Sequence, residues 1–324
     1  MTTALPENLA ENLPAAARRD GAVAIVVNPT KLDDEVSRRE QVTAELAARG
    51  LPAPLWLETS ERDPGFGMTQ QALDRGVGVV IAWGGDGTVR AVLSVLAGSG
   101  VPMAVLPAGT GNLLARNLDL PLDDLPAAIA VALDGRDRSL DIGRIEPPDA
   151  DGRIQRFAIM AGVGLDAAVM RDVPATVKAK VGWLAYVMSA LGHLRQRRFR
   201  ARLALDDTEV MNALVQSIVI GNMGRLQGGI ELLPDAVPDD GSLDVAVLAA
   251  RGPLDWLRIL GRVVTRRADL DQRYLTFRGE RVTVSVRGLQ PRQADGDVLD
   301  QGHRLDVRIE PRAILVRVPA ETPR

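Results

Sequence analysis

Along the first part of the chain, uninterrupted apolar runs alternate with stretches whose apolar residues recur at helical spacing. Ala22–Val27 is a continuous apolar run that stops at Asn28-Pro29. Asp33 or Asp34 can then cap a helix carrying Val36, Val42 and Leu46 and closing at Gly50. Leu55–Leu57, Val77–Trp83 and Val101–Leu106 predict three further strands. Helical patterns lie between them, from about Met68 to Asp74 and from Val89 to Leu96. Strands that do not alternate are buried on both faces, so this half predicts a parallel sheet with helices on either side.

The pattern changes after about Asp141. Residues 139–146 and 153–163 read as strands joined by the turn Asp149-Ala150-Asp151-Gly152. Phe199–Leu205, Leu214–Ile220, Leu243–Leu248, Arg281–Val286 and Arg304–Ile309 add strand-like segments, several of them alternating. Acidic and glycine-bearing turns separate them, as at Pro238-Asp239-Asp240-Gly241 and Asp295-Gly296. The fold expected is α/β: an N-terminal doubly wound parallel-sheet nucleotide-binding domain with a second, predominantly antiparallel β-sandwich domain. Its divisions are expected as a leader over 1–20, a first domain over 21–142 that regains the last strand at about 312–324, and a second over 143–311.

Composition narrows the function classes. A chain of 324 residues suits two cores, and 46% apolar residues can fill them. Aromatics are only 3%, which argues against stacking on single-stranded nucleic acid, and the net charge of −3 argues against a polyanion binder. No nucleic-acid partner is expected. Cysteine is absent, which removes disulfides, thiolate metal sites and cysteine nucleophiles and fits a reducing, cytoplasmic setting. The start, Met1–Asp20, has no apolar signal core. Ala91–Ala115 is free of charge and long enough to span a bilayer, but it is interrupted by Gly98, Gly100, Pro102, Pro107, Gly109 and Gly111.

Chemistry gathers where strands end. Gly84-Gly85-Asp86-Gly87-Thr88 follows the third strand and opens the helix expected near Val89. Glycines let backbone amides approach phosphate oxygens, and a helix start favours anions. A carboxylate there is unfavourable unless a cation intervenes, so Asp86 reads as a Mg²⁺ ligand, directly or through water. An ordinary strand-to-helix turn with Asp86 as its cap would have the same sequence. Leu106-Pro107-Ala108-Gly109-Thr110-Gly111-Asn112 repeats the strand-to-helix pattern, and Asn28-Pro29-Thr30 ends the first strand. In a parallel sheet all three emerge at the carboxyl edge, where ligands bind.

Together with Asp295-Gly296, these segments resemble the diacylglycerol kinase catalytic-domain family, which includes bacterial lipid kinases and sphingosine and ceramide kinases. NAD kinases and phosphofructokinases are more distant relatives that share the GGDG loop. The resemblance runs from about Val23 to Val318. It implies an ATP-dependent kinase whose site lies in a cleft between the domains. It assigns nucleotide contacts to Asn28, Thr59, Gly85, Asp86, Gly87, Thr88 and Thr110, with Pro29, Thr30, Gly84 and Asn112 in the same loops. Asp141, in Leu140-Asp141-Ile142-Gly143, matches an aspartate of an Asp86–water–Mg²⁺ network. The family's base is the glutamate of an Asp-Gly-Glu motif; here the motif is Asp295-Gly296-Asp297, so Asp297 takes that role with one methylene fewer. Read without the family, Asp295-Gly296 is a hairpin turn. A structural Mg²⁺ is implied at Asp240 with the backbone of Val237 and Ser242, in a segment that otherwise reads as a solvated acidic turn.

The acceptor implied is a lipid hydroxyl, foremost diacylglycerol. A sphingoid base, a soluble NAD- or sugar-type acceptor, or a catalytically weak nucleotide- or lipid-binding regulator are the alternatives. Val181–Leu194 is charge-free with apolar residues at helical spacing, and basic residues flank it from Lys178 to Arg202. That strip can lie on an anionic membrane, or be a core helix with a solvated basic end. Peripheral membrane association and an oligomer, taken as a dimer, complete the expectations. The two histidines, His193 and His303, form neither a metal site nor a triad.

Overall fold

The computed structural model describes residues 21–147, 153–164, 198–226, 231–250, 255 and 274–320. The expected leader, the Asp149–Gly152 turn, the Val181–Leu194 pattern and the basic residues from Lys178 to Arg197 lie outside them. Among the described residues no helix is long and apolar enough to cross a membrane.

Strands β1 (Val23–Val27), β2 (Leu55–Glu58), β3 (Val79–Gly84) and β4 (Met103–Pro107) pair in parallel in the order β2-β1-β3-β4. Their side chains alternate between two apolar layers. Val23, Ile25, Val79 and Ile81 meet Val42 and Leu46 of α1 (Glu35–Ala48) and Ile129 of α5 (Leu125–Asp134). Ala24, Val26, Val80 and Ala82 meet Ala72 of α2 (Phe66–Asp74), Leu93 of α3 (Asp86–Leu96) and Leu114 of α4 (Leu113–Asn117). The first half is therefore a parallel sheet covered on both faces, as its uniform apolar runs predict.

The second half is antiparallel. One sheet joins β12 (Tyr274–Gly279), β11 (Leu243–Leu248), β10 (Ser217–Gly221) and β7 (Met160–Val163) to the far end of β13 (Arg281–Ala294). The other joins β9 (Thr208–Val215), β8 (Phe199–Leu205), the near end of β13, β14 (Asp297–Val318), β5 (Arg136–Glu146) and β6 (Gln155–Phe157). Val163, Leu203, Ile218, Val245, Val284 and Val307 fill the space between them. The run expected as one strand over Leu214–Ile220 is two strands, β9 and β10, which part at Gln216.

Strand β14 belongs to both halves. Its first part pairs with β13; farther along, Val316 pairs in parallel with Met103 of β4. Ile314, Val316 and Val318 are buried in the same cluster as Leu93 and Met103. The base candidate and the nucleotide-type sheet are thus connected by one continuous strand.

Candidate active site

Backbone hydrogen bonds tie the carboxyl ends of the four parallel strands into a rim. Thr59 donates its amide to Val27 O at 2.8 Å, Asn28 to Trp83 O at 2.9 Å, and Ala108 to Gly84 O at 3.1 Å. The Asn28, Thr59, Gly84–Thr88 and Pro107–Asn112 segments therefore stand side by side. Asn28 Oδ1 accepts from the Thr30 amide and hydroxyl at 3.1 and 2.8 Å, which orders the Asn28-Pro29-Thr30 turn. Thr110 is exposed in its loop.

The two glycine loops touch. A Cβ on Gly109 would fall 2.8 Å from Gly85 Cα, and one on Gly84 would meet Thr88 Oγ1 at 2.7 Å. Backbone cannot yield as a flexible side chain does, so Gly109 is needed for contact between the loops. Asn112 adopts a left-handed conformation (φ 48°) and closes its loop by donating to Gly109 O at 2.8 Å while accepting from the Gly109 amide at 3.0 Å.

Helix α3 begins at Asp86, three residues before the start expected near Val89, with Gly85 as its N-cap. Asp86 therefore lies in the first turn and does not cap its own helix. Its Oδ1 instead accepts from the amide of Leu113 at 2.6 Å, at the start of α4. A Cβ on Gly111 would collide with Asp86 Oδ2, so Gly111 leaves that oxygen its space. Burial pushes the Asp86 carboxyl above its ordinary range; the Leu113 amide opposes the shift and the charge of Asp297 adds to it.

Asp297 reaches this loop from the other half of the chain. A Cβ placed on Gly87 would be 3.1 Å from Asp297 Oδ2. The same oxygen pairs with Arg90 Nη2 at 3.2 Å, and Arg90 Nη1 donates to Gln155 Oε1 at 2.6 Å. Arg90 is almost fully buried, whereas the Asp297 side chain is 35% exposed and open to an incoming group. The sequence reading did not single out Arg90 or Gln155. Burial is not visible in a sequence and the partner of Arg90 lies 207 residues on, so no local signal marked it.

Asp295 does a different job in the same hairpin. Asp295 (φ 46°) and Gly296 (φ 87°) form the two-residue turn between β13 and β14, so the hairpin reading holds for the backbone. The buried Asp295 carboxylate accepts from the amides of Ala158, Ile159 and Met160, each at 2.9 Å. Burial raises its pKa to about 6, with the three amides opposing the rise. It clamps the turn that presents Asp297.

Asp141 is also buried, and each of its carboxylate oxygens accepts a hydrogen bond. It accepts from the amides of Gly241 at 2.6 Å and Arg312 at 2.7 Å, and its own amide donates to Pro238 O at 2.7 Å. None of the described hydrogen bonds joins it to Asp86. Asp141 holds the turn that contains Asp240. Asp240 pairs with Arg278 and accepts from the Ser242 amide at 3.0 Å, and Val237 is exposed. Beside them, Asp244 has a buried Oδ2 with no hydrogen-bond partner, and burial pushes its carboxyl up. Hard oxygen donors of this kind suit Mg²⁺ or Ca²⁺.

Comparison with known proteins matches the two halves to two family models. Residues 22–145 match the diacylglycerol kinase catalytic domain, and residues 159–318 match the YegS C-terminal NAD kinase beta sandwich-like domain. A diacylglycerol kinase of Mycobacterium tuberculosis is 33% identical over 228 residues, covering 70% of this chain and 72% of the relative. A Pseudomonas aeruginosa protein named "Probable lipid kinase YegS-like" is 31% identical over 263 residues, covering 79% and 82%. Among solved structures, a diacylglycerol kinase from Bacillus anthracis superposes with a TM-score of 0.67 at 18% identity, covering 92% of this chain and 97% of that one, which supports the fold. The glycine loops, the rim that joins them and the two matched halves make this chain a member of the diacylglycerol kinase catalytic-domain family.

Proposed function

We propose that the protein transfers the γ-phosphoryl group of ATP to a lipid hydroxyl, with diacylglycerol as acceptor and phosphatidic acid as product. The observation that carries this reading is the approach of Asp297 to Gly87, which brings a partly exposed carboxylate against the phosphate-type loop. The amides of Gly85, Gly87 and Thr88 face an anion at the start of α3, and Asn28, Thr59, Thr110 and Asn112 line the same rim. Asp297 takes the proton of the acceptor hydroxyl as the new O–P bond forms. The bond between the γ-phosphorus and the β–γ bridging oxygen breaks, and ADP leaves with that oxygen. Arg90 holds Asp297 in place against the loop. Positioning and charge stabilisation are what phosphoryl transfer chiefly requires.

Mg²⁺ fits beside Asp86, whose buried carboxylate lies near a second negative charge, and when bound it neutralises phosphate charge. Asp141 joins that network through water in this proposal. A second, structural Mg²⁺ would take Asp240 with the backbone of Val237 and Ser242, releasing Arg278 from its ion pair.

Radiolabelled ATP with diacylglycerol in mixed micelles should give labelled phosphatidic acid, and Asp297→Asn should lower turnover by about 10²-fold or more. Full activity in that variant would refute the base assignment. Preferential labelling of sphingosine or NAD would refute the acceptor.

A further inference from the structure

The whole chain is acidic, yet one corner of the sandwich is not. Strands β8, β9 and β13 turn one set of side chains into the core and the other set outward, and the outward set is rich in arginine. Arg202 stands opposite Asn212 on β9 and Ser285 on β13, and Ser285 stands opposite Arg304 on β14. In the adjoining row Arg200 stands opposite Leu214. Arg287 is two residues beyond Ser285 and is exposed.

Charge pairing differs across this face. Arg281, Arg304 and Arg308 are matched by Asp207, Asp306 and Glu146 at 3.5, 2.6 and 3.1 Å. Among the described residues Arg200 bonds to the amide oxygen of Asn212, at 3.1 Å. Among the described residues no acid pairs with Arg200, Arg202 or Arg287. Among the described residues of this face, the arginines without an acidic partner therefore lie at one corner.

Apolar exposure falls at the same place. The described surface exposes six large aliphatic residues, of which Val210 and Leu214 lie on β9 and Leu289 lies two residues after Arg287. Single exposed aliphatics are ordinary, but half of them beside the unpaired arginines form a patch with two chemistries. Arginine pairs bidentately with phosphodiesters, and leucine partitions into the acyl boundary. Nucleic acid would call for aromatic stacking, and there is no aromatic residue among these outward positions.

We propose that the corner formed by Arg200, Arg202, Leu214, Arg287 and Leu289 docks the protein on an anionic phospholipid bilayer. This goes beyond the catalytic reading, because docking requires neither ATP nor turnover.

The test is sedimentation of the full chain with phosphatidylcholine vesicles, with and without phosphatidylglycerol, at low and high salt. Wild type should bind only the anionic vesicles and be released by salt. Each basic residue near an anionic surface contributes roughly fivefold, so Arg200→Gln/Arg202→Gln/Arg287→Gln should lower partitioning by about 100-fold. Leu214→Ser/Leu289→Ser should weaken binding while leaving its salt dependence. These side chains are exposed, so unchanged thermal unfolding and unchanged ATP turnover on a detergent-solubilised acceptor should accompany the loss. Wild-type partitioning by the triple variant, or equal binding to vesicles of phosphatidylcholine alone, would overturn the proposal. A dimer that the triple variant abolishes while vesicle binding persists would assign the face to a second copy and also overturn it.

Discussion

Asp295 carries a carboxylate into the interior, and its ionisation is coupled to folding. Its pKa of about 6 in the folded protein lies above the ordinary value of 3.8. Between those values the folded state holds a proton that the unfolded state has lost. Stability from this group is therefore greatest at low pH and declines as pH rises from about 4 to about 6, by about 3 kcal/mol in all. Asparagine cannot titrate, and it would set an N–H against one of the three amides. The stability difference between wild type and Asp295→Asn should shrink across that pH range, measured by denaturant unfolding, then level off. A difference independent of pH would contradict the coupling. Neither this burden nor the partner of Asp86 was visible in the local sequence, where Asp295-Gly296 reads simply as a turn.

At the scale of elements, α3 supplies both the phosphate-type loop and the arginine that fixes the opposing carboxylate. Removing Arg90 would leave Gln155 Oε1 and Asp297 without their shared donor. Arg90→Ala should lower kcat by roughly 10- to 100-fold through misplacement of Asp297, with a smaller change in KM for ATP, in steady-state assays. An equal loss in KM would point to nucleotide binding instead. The strands of the first sheet were legible because residues buried on both faces leave uniform apolar runs, as at Val23–Val27. Helix α5 was not, because Leu125–Leu133 is apolar all round and shows no stripe. Arg90 was not legible for a different reason. Its partner lies 207 residues away, and pattern within a window cannot report such a pairing.

For the molecule as a whole, β14 makes the two halves mechanically one. It pairs with β13 over the sandwich, with β5 between Asp306 and Val318, and with β4 in the parallel sheet. Deleting residues 311–324 would remove Ile314, Val316 and Val318 from the cluster they share with Leu93 and Met103 and uncover the β4 edge at Met103. Each buried aliphatic contributes about 1.5–3 kcal/mol, so the loss rivals the whole stability of a typical domain. The truncated chain should be insoluble or lack a cooperative thermal transition by circular dichroism. A soluble, cooperatively melting fragment would show that the parallel sheet stands without β14.

The same strand bears on when the protein can fold as it is made. The parallel sheet begins at Val23, but the strand that covers its β4 edge ends at Val318. Synthesis proceeds at about 5–20 residues per second, so the sheet waits many seconds for its final member. During that interval the edge of β4 and the side chains of Met103 and Leu93 lack their cover. Contacts so distant in sequence also close slowly. The nascent first half is therefore the stage at which this chain is most exposed to aggregation and most dependent on chaperones, and folding becomes complete only after the C-terminal strand has left the ribosome.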